Sequence, residues 1–324
     1  MGTTFSQFFP PSPKLTEHNL PSQKGKVFVV TGGASGVGFE LATILFQAGG
    51  KVYIAGRSET NARQSIDKIK SLVHDASVAG QLEYLHLELD DLSSIKSSAE
   101  VLMNKEPKLD VLWNNAGISM APVGSKSKQG LELHVATNCL GPFLFTQLLL
   151  PSLKAAAQDA PVGSVRVVWT SSQTVELAAP NGGIIMADLD APPADKTQLY
   201  VASKTGNWFL GSELVREVAP YGILSITQNP GNLNTNLLRN APWMKYVAYP
   251  LLYKARFGAY TELWTGLSPD LTVEKNGSYV IPWGRVHLSP RKDLLDALKS
   301  VEDGGTGRAR EFWEWCEKRT IGFK

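Results

Sequence analysis

Short runs of apolar and β-branched residues alternate along this chain with longer amphipathic segments. The short runs predict strands at 27–31, 51–55, 82–87, 111–113, 165–170 and 223–228, and a later one at 277–283. Within 36–48, apolar residues recur three and four positions apart, as in a helix that buries one side. This alternation is typical of a parallel sheet covered by helices on both faces. We therefore expect an α/β fold with a doubly wound sheet of about seven strands.

The two ends of the chain differ from this pattern. Residues 1–25 carry four prolines among polar residues, which predicts an arm laid over the surface. We find no internal repeat and no linker after residue 25, so we expect one domain over 26–324, in which 236–324 forms a substrate lid and C-terminal helices. In 290–324, eight basic and seven acidic residues are interspersed, which predicts solvated helices.

The composition narrows the classes of partner. The 324 residues include 32 Lys and Arg against 30 Asp and Glu, and a net charge of +2 gives no overall field for binding nucleic acid. Cys139 and Cys316 cannot build a disulfide framework, and the five histidines lack metal-ligand spacing, so we expect a reducing compartment and no metal. No run approaches the ~18 apolar residues of a transmembrane span, and no signal peptide is recognisable. We expect a cytoplasmic protein.

A glycine-rich turn follows the first strand. Residues 31–38 are Thr-Gly-Gly-Ala-Ser-Gly-Val-Gly and lead into the helix at 36–48. Glycines at 32, 36 and 38 permit a tight turn, close approach of the backbone to a pyrophosphate, and close packing of helix on sheet. A plain tight turn is the alternative, but the position between a strand and a helix predicts a dinucleotide site on a Rossmann-type sheet.

The end of the second strand bears on which dinucleotide binds. NAD-selective sites place Asp or Glu there for the ribose 2′-hydroxyl, whereas this chain has Arg57 followed by Ser58. A guanidinium can hold a 2′-phosphate through paired, charge-assisted hydrogen bonds. We therefore expect NADP(H) as the cofactor, with Arg57 and Ser58 at the 2′-phosphate. The alternative is that Arg57 is an ordinary surface arginine.

Tyr200 and Lys204 are four residues apart, which on a helix places a phenol and an ammonium on one face. A neighbouring ammonium favours the phenolate, so we expect Lys204 to lower the pKa of Tyr200 and prepare it for proton exchange near neutral pH. The pair follows a strand that ends Thr170-Ser171-Ser172, at the edge of a parallel sheet where ligands bind.

Together these motifs resemble the short-chain dehydrogenase/reductase family over residues 25–235, most closely its retinol-dehydrogenase-like branch with NADP-dependent fungal members. The matching positions, in the family's order, are the 31–38 turn, Asn114-Asn115-Ala116-Gly117, Asn138, Ser172, Tyr200 with Lys204, and Pro230-Gly231 with Thr235.

The resemblance implies a role for each matching residue. Tyr200 would be the general acid or base, Lys204 would hold the nicotinamide ribose and tune Tyr200, and Ser172, rather than Ser171, would hydrogen-bond the substrate oxygen. Asn138 would anchor a water that leads protons to Lys204. The implied cofactor-binding set is Thr31, Gly32, Ser35, Gly36, Val37, Gly38, Arg57, Ser58, Glu88, Leu89, Asn115, Ala116, Gly117, Tyr200, Lys204, Pro230, Gly231, Leu233 and Thr235. The alternatives are structural: Ser172 as a strand cap, Asn138 at a helix kink, and the Asn-Asn-Ala-Gly turn as a brace of the sheet.

Two departures limit the transfer of these roles. Residues 173–199 form an insertion relative to compact family members, and their Pro, Gly and Asp content predicts an irregular loop. Where family members place an Asp on the adenine, this chain has Glu88, followed by Asp90 and Asp91. Glu88 therefore takes the place of the family's Asp at the expected adenine contact.

The segment 240–264 is rich in aromatic residues: Trp243, Tyr246, Tyr249, Tyr253, Phe257, Tyr260 and Trp264. In the family this part of the chain closes over the substrate, so we expect a sizeable apolar or aromatic ketone, aldehyde or alcohol. Three interpretations stay open, namely a substrate lid, packing of the core or of an oligomer, and an interfacial membrane surface, because Lys245, Lys254 and Arg256 stand among the rings. A homodimer and a peripheral membrane contact are both compatible with the sequence.

The expected function is that of an NADP(H)-dependent carbonyl reductase or alcohol dehydrogenase with a hydrophobic small-molecule substrate. The rival class is an NADP(H)-binding redox sensor, or a non-redox cyclase or isomerase that uses the same pocket. The complete set of Asn138, Ser172, Tyr200 and Lys204 favours the enzyme, because a sensor needs the glycine turn but no proton-transfer pair.

Overall fold

A computed structural model describes residues 3–73, 79–237 and 251–324 of the chain. The strands are β1 Val27–Thr31, β2 Lys51–Gly56, β3 Gln81–His86, β4 Val111–Asn114, β5 Arg166–Thr170, β6 Leu224–Gln228, β7 Leu233–Asn234, β8 Tyr253–Lys254, β9 Tyr279–Ile281 and β10 Arg285–Val286. Eight of them form one sheet in the order β10-β9-β6-β5-β4-β1-β2-β3, and β7 pairs with β8 in a separate ribbon. Only the β9–β10 pairing in that sheet is antiparallel.

The four central strands β1, β4, β5 and β6 are buried almost throughout. Because helices cover both of their faces, β1, β4 and most of β5 are continuously apolar, whereas β6 alternates and buries its polar side chains as well. The runs of apolar and β-branched residues located each of the six main strands to within one residue at either end. The expected fold class is confirmed, and the short edge strand β10 makes the sheet eight-stranded where about seven strands were expected.

The helices are α1 Thr3–Phe8, α2 Gly36–Gln47, α3 Glu59–Ser71, α4 Leu92–Lys105, α5 Leu133–Val135, α6 Gly141–Ala157, α7 Thr174–Ala178, α8 Ala187–Asp190, α9 Lys196–Val218, α10 Ala255–Leu267, α11 Lys292–Leu298 and α12 Arg308–Thr320. A π-helical turn, Ala136–Leu140, joins α5 to α6. One face of the sheet is covered by α4, α6, α9 and α12, which bury Leu149, Leu214 and Phe312. The other face is covered by α2, α3 and α10, which bury Leu41 and Leu263.

The continuous helical stretch Leu133–Ala157 is long and apolar enough by composition to cross a membrane, with a mean hydropathy of 1.3 over an 18-residue window. It is the one such helix among the residues described. Of that window, 78% is buried inside the fold, and Phe143 packs edge-on against Trp313 of α12 at 4.8 Å between ring centroids. These contacts are those of a core helix.

The insertion at 173–199 is more ordered than expected. It contains α7 and α8 and the first turn of α9, so the expectation of an irregular loop was wrong in part. The helices are held by contacts far away in the chain: Arg291 donates hydrogen bonds to the carbonyl oxygens of Glu176 and Ala179, and the Gly182 amide donates to Asp293. Such tertiary contacts are invisible to a local count of loop-forming residues.

The segments after residue 250 pack into the core. In α10, Ala259, Leu263 and Trp264 are buried against the sheet and α2, so the described part of the aromatic segment supports the packing interpretation. Trp243, Tyr246 and Tyr249 lie outside the described residues. The C-terminal helices were expected to be solvated, but α12 buries Phe312 and Cys316 against its neighbours, because its apolar residues recur at helical spacing among the charges.

Candidate active site

The carboxyl ends of β1, β4, β5 and β6 open into a cleft of about 380 Å³. Parallel sheets bind ligands at this edge, at the point where the strand order reverses. In this sheet that point lies between β1 and β4. The cleft brings together most of the expected site residues: Gly32, Ser35, Gly36, Val37, Asn115, Ala116, Gly117, Ser172, Tyr200, Lys204, Pro230, Gly231, Leu233 and Thr235. Thr31, Gly38, Arg57, Ser58, Glu88, Leu89 and Asn138 were also expected at the site but do not line this cleft.

The glycine turn has the shape that a phosphate cradle requires. Gly32 has a φ of +68° and Gly36 of +57°, in the left-handed region that side chains disfavour. A Cβ at Gly38 would lie 2.6 Å from the Gly32 carbonyl oxygen, so the helix can approach the turn this closely only with glycine there. Ser35 is the N-cap of the 12-residue helix α2, and its side chain makes no capping hydrogen bond. The Ser35 hydroxyl and the free amides of the first turn therefore face the cleft as anion donors.

The side chains of Thr31 and Asn115 are used in hydrogen bonds that brace the glycine turn. The Thr31 hydroxyl donates to the Trp113 carbonyl oxygen (3.1 Å) and accepts from the Ala116 amide (2.9 Å). The Asn115 side chain donates to the Thr31 carbonyl oxygen (2.7 Å). Both residues therefore tie the end of β1 to the end of β4 and set the width of the cleft, which is the structural alternative considered for this turn.

Tyr200 lies on α9 with its side chain in the floor of the cleft, 6% exposed. Burial raises the pKa of Tyr200 to about 12, and a hydrogen bond with the Ser172 hydroxyl opposes that rise. The expectation that Lys204 lowers the pKa of Tyr200 was therefore wrong for this state of the protein. The cost of burying a phenolate outweighs the favourable contacts, and the Lys204 ammonium is directed elsewhere.

Lys204 follows one turn later on the same face of α9 and is buried. Its Nζ donates a hydrogen bond to the Thr170 carbonyl oxygen at 2.9 Å, at the end of β5. Burial lowers the pKa of Lys204 to about 8. The neighbouring Ser171 donates from its hydroxyl to the Lys204 carbonyl oxygen (2.8 Å), which leaves Ser172 as the serine that meets Tyr200.

Asn138 lies in the π-helical turn and its side chain is fully engaged. Oδ1 accepts from the Ile118 amide (2.8 Å), and Nδ2 donates to the Ile118 carbonyl oxygen and to Ser203 Oγ. These bonds hold the loop after the Asn-Asn-Ala-Gly turn against α9, while the π-helical turn itself is the helix irregularity that the structural alternative expected. Both Nδ2 hydrogens are used by these bonds, so a water on the path to Lys204 could meet the Asn138 side chain only at Oδ1.

Arg57 and Ser58 stand outside the cleft at the end of β2. The Arg57 side chain is 67% exposed and its Nη1 lies 3.5 Å from Asp90, so it is free to turn toward an anion. The Ser58 hydroxyl accepts from the Asn61 amide as the N-cap of α3. Glu88 is partly exposed, and Leu89 is buried against Gly141. Asp91 caps α4 through the Ser93 amide.

The structure adds cleft residues that the sequence motifs did not indicate: Ser119, Met120, Thr170, Thr174, Asn229, Asn232, Asn236, Leu237 and Leu252. Met120 has a φ of +52°, unusual for a side chain of this size. Its turn is held by the Ala121 amide, which donates to His134 Nε2 (3.1 Å), and His134 in turn packs edge-on against the Tyr200 ring. The sequence signal for Met120 was its position three residues after the Asn-Asn-Ala-Gly turn.

Comparisons with known proteins identify the family of this chain. The model of the short chain dehydrogenase family matches residues 26–245. The chain is 45% identical to the short-chain dehydrogenase/reductase iacJ of Pestalotiopsis fici, over 98% of this chain and 97% of that protein. It is 40% identical to bet4 of Neocamarosporium betae, also named a short-chain dehydrogenase/reductase, over 100% and 94%. A crystal structure of an uncharacterized protein from Mycobacterium paratuberculosis superposes with a TM-score of 0.70 at 27% identity, covering 96% and 98%. The chain therefore belongs to the short-chain dehydrogenase/reductase family.

Proposed function

We propose that this protein is an NADP(H)-dependent carbonyl reductase or alcohol dehydrogenase acting on sizeable apolar or aromatic ketones, aldehydes or alcohols. The observation that carries the proposal is one continuous cleft that is lined by Tyr200 and Ser172 and also by the glycine turn. A proton donor and a dinucleotide cradle within one cavity are what hydride exchange with a carbonyl requires.

The residues present fit a nicotinamide dinucleotide. The pyrophosphate would meet Ser35, Gly36 and the free amides at the start of α2, and the exposed Arg57 would pair with a 2′-phosphate. Asp90, close to Arg57, would have to give up that guanidinium. When bound, the nicotinamide supplies or accepts the hydride.

The protein's own residues would handle the proton and orient the substrate. A pKa of about 12 keeps Tyr200 protonated at neutral pH, which is the form that a general acid needs for carbonyl reduction. Ser172 would hold the same carbonyl oxygen, since its hydroxyl already meets the phenol. The buried ammonium of Lys204 would favour the phenolate that remains after the proton leaves.

The substrate side of the cleft supports an apolar substrate. Met120, Leu237 and Leu252 line it together with the Pro230-Gly231 loop. Apolar walls with a few convergent polar groups are typical of sites for hydrophobic small molecules.

The test is NADPH oxidation, followed by the loss of absorbance, with a panel of aromatic and long-chain carbonyls. We expect turnover by the wild type and a loss of about 10²- to 10⁴-fold in Tyr200→Phe, with NADPH binding retained in a fluorescence titration. Tyr221→Phe, at an exposed tyrosine, is the matched control. If the wild type binds NADPH but oxidises it with no carbonyl, the sensor or isomerase alternative replaces the proposal.

A further inference from the structure

A buried carboxylate lies behind the floor of the cleft. Glu262, on α10, has no exposed surface, and its Oε1 accepts hydrogen bonds from Thr170 Oγ1 and Gln228 Nε2, both at 2.8 Å. Its Oε2 is buried and has no hydrogen-bond partner among the residues described. Burial raises the pKa of Glu262 to about 7. A buried acid with one oxygen unsatisfied lowers stability, so packing alone does not account for it.

Thr170 connects this carboxylate to Lys204. Its carbonyl oxygen accepts from Lys204 Nζ and from Asn207 Nδ2, each at 2.9 Å, while its hydroxyl donates to Glu262. One residue at the end of β5 therefore contacts the ammonium through its main chain and the carboxylate through its side chain. The two charges also act on each other: after burial, Cys139 and then Glu262 raise the pKa of Lys204, and Lys204 lowers the pKa of Glu262.

The other titratable groups near Lys204 are occupied or neutral. Cys139 is buried, which raises the pKa of its thiol, and its Sγ donates to the Ser203 carbonyl oxygen. On α5 and α7, His134 pairs with Glu132 and Glu176 with His287.

The titratable groups on the elements packed against α10 also have partners of their own or are exposed. Arg166 of β5 donates to the Thr265 and Ser268 carbonyl oxygens, Glu40 of α2 pairs with Arg256, and Tyr279 of β9 donates to the Ser172 carbonyl oxygen. Lys254 in β8 is exposed. Glu262 is thus the carboxylate placed to balance the buried ammonium.

We propose that Glu262 is a positioning residue for the Tyr200–Lys204 pair: through Thr170 it anchors the Lys204 ammonium at the end of β5 and supplies the negative charge that keeps it protonated in a dry site. This inference rests on the proposed function for its catalytic consequence. It assigns a role to a residue outside the family motifs, on the helix that lies across the opposite face of the sheet from α9.

The inference has a sign that can be measured. Without the negative charge at Glu262, the Lys204 ammonium loses its proton at lower pH. Carbonyl reduction needs Tyr200 and Lys204 both protonated. The decline of its rate at alkaline pH should therefore begin at a lower pH than in the wild type. We expect Glu262→Gln to move the alkaline limb of kcat for NADPH-dependent reduction down by about one pH unit, while the KM for the carbonyl changes less than twofold.

The matched control is Glu213→Gln. Glu213 is also buried. It lies on α9, nine residues after Lys204, and pairs with Arg216 at 3.1 Å. Its replacement should leave the alkaline limb in place. Glu262→Met, which also removes the charge, should shift the limb in the same direction even if Glu262→Gln folds poorly. An unshifted limb in a folded Glu262 variant overturns the inference.

A second experiment needs no turnover. The unfolding free energies of the cofactor-free wild type, Glu262→Gln, Lys204→Met and the double variant form a double-mutant cycle. We expect coupling between the two sites at pH 7.5 and its loss at pH 5, where Glu262 is protonated and carries no charge. Coupling that is absent at pH 7.5, or equal at both pH values, contradicts the charge pairing. If the wild type reduces no carbonyl, the proposed function fails, and the cycle still decides whether the two residues are paired.

Discussion

Gln7, on the first helix of the chain, donates a hydrogen bond from Nε2 to Glu176 Oε2 at 3.0 Å, across 169 positions of sequence. Its Oε1 accepts from Asn229 Nδ2 at 2.9 Å, and the side chain is 2% exposed. Glu176 lies in α7, shortly after Ser172 in the chain, and Asn229 lines the cleft beside Pro230. The N-terminal segment therefore joins the two loops that flank the proposed substrate site, and α1 supports the wall of that site from behind.

Gln7→Ala should weaken substrate binding more than chemistry. The change leaves the buried Asn229 amide and one Glu176 oxygen without their partner, which costs about 1–3 kcal/mol. We expect the KM for the carbonyl to rise about 3- to 10-fold while kcat falls less than twofold, as measured in steady-state NADPH oxidation. His18→Ala, at an exposed position of the same segment, should change neither constant. Equal effects of the two substitutions would contradict this role for α1.

The fold could be predicted where local rules decide it. The central strands are buried on both faces, so β1, β4 and most of β5 are apolar runs, and Gly38 is required by the 2.6 Å approach to Gly32. Gln7 and Glu262 carried no such signal. Their partners lie 34 to 222 positions away, and neither periodicity nor motif spacing encodes contacts of that range.

The chemistry of the site could be predicted only in part. The four-residue spacing correctly indicated that Tyr200 and Lys204 share a helix face, but the shift in the pKa of Tyr200 has the opposite sign to the one expected. Burial depends on the surrounding fold and not on the spacing, and here it dominates. The aromatic residues 253–264 were compatible with a lid because ring enrichment does not distinguish a lid from the core packing that α10 provides.

Arg57→Ala tests the choice of cofactor. If the exposed guanidinium holds a 2′-phosphate, its loss removes charge-assisted hydrogen bonds and should lower kcat/KM for NADPH about 10- to 100-fold, with little change for NADH. The ratio of the two efficiencies is the measurement. Arg63→Ala, an exposed arginine on α3 that pairs with Glu59, is the control and should leave the ratio unchanged. A wild type that uses both cofactors equally would refute the assignment.

Ser172→Ala and Ser171→Ala should separate catalysis from stability. Ser172 meets Tyr200 in the cleft, so its loss should lower kcat about 10²-fold with a small change in Tm. Ser171 is buried and donates to the Lys204 carbonyl oxygen, so its loss should cost about 1 kcal/mol of unfolding free energy and affect kcat less. Each variant serves as the control of the other in paired kinetic and thermal-unfolding measurements. The reverse assignment of effects would exchange the proposed roles.

The raised pKa of Glu262 predicts how stability depends on pH. In the unfolded chain this carboxyl ionises near its ordinary pKa of 4.5, whereas in the folded protein it keeps its proton up to about pH 7. Between these values the folded state binds more protons than the unfolded state, so this group makes stability fall as pH rises. Over that window the loss amounts to about 3 kcal/mol at about 1.4 kcal/mol per pH unit. Glu262→Gln removes this dependence. The unfolding free energy of the variant minus that of the wild type should therefore increase from pH 4.5 to pH 7 and stay constant above pH 7. Urea unfolding of both proteins at half-unit steps measures the difference. A constant difference across the window would show that Glu262 ionises at the same pH in both states.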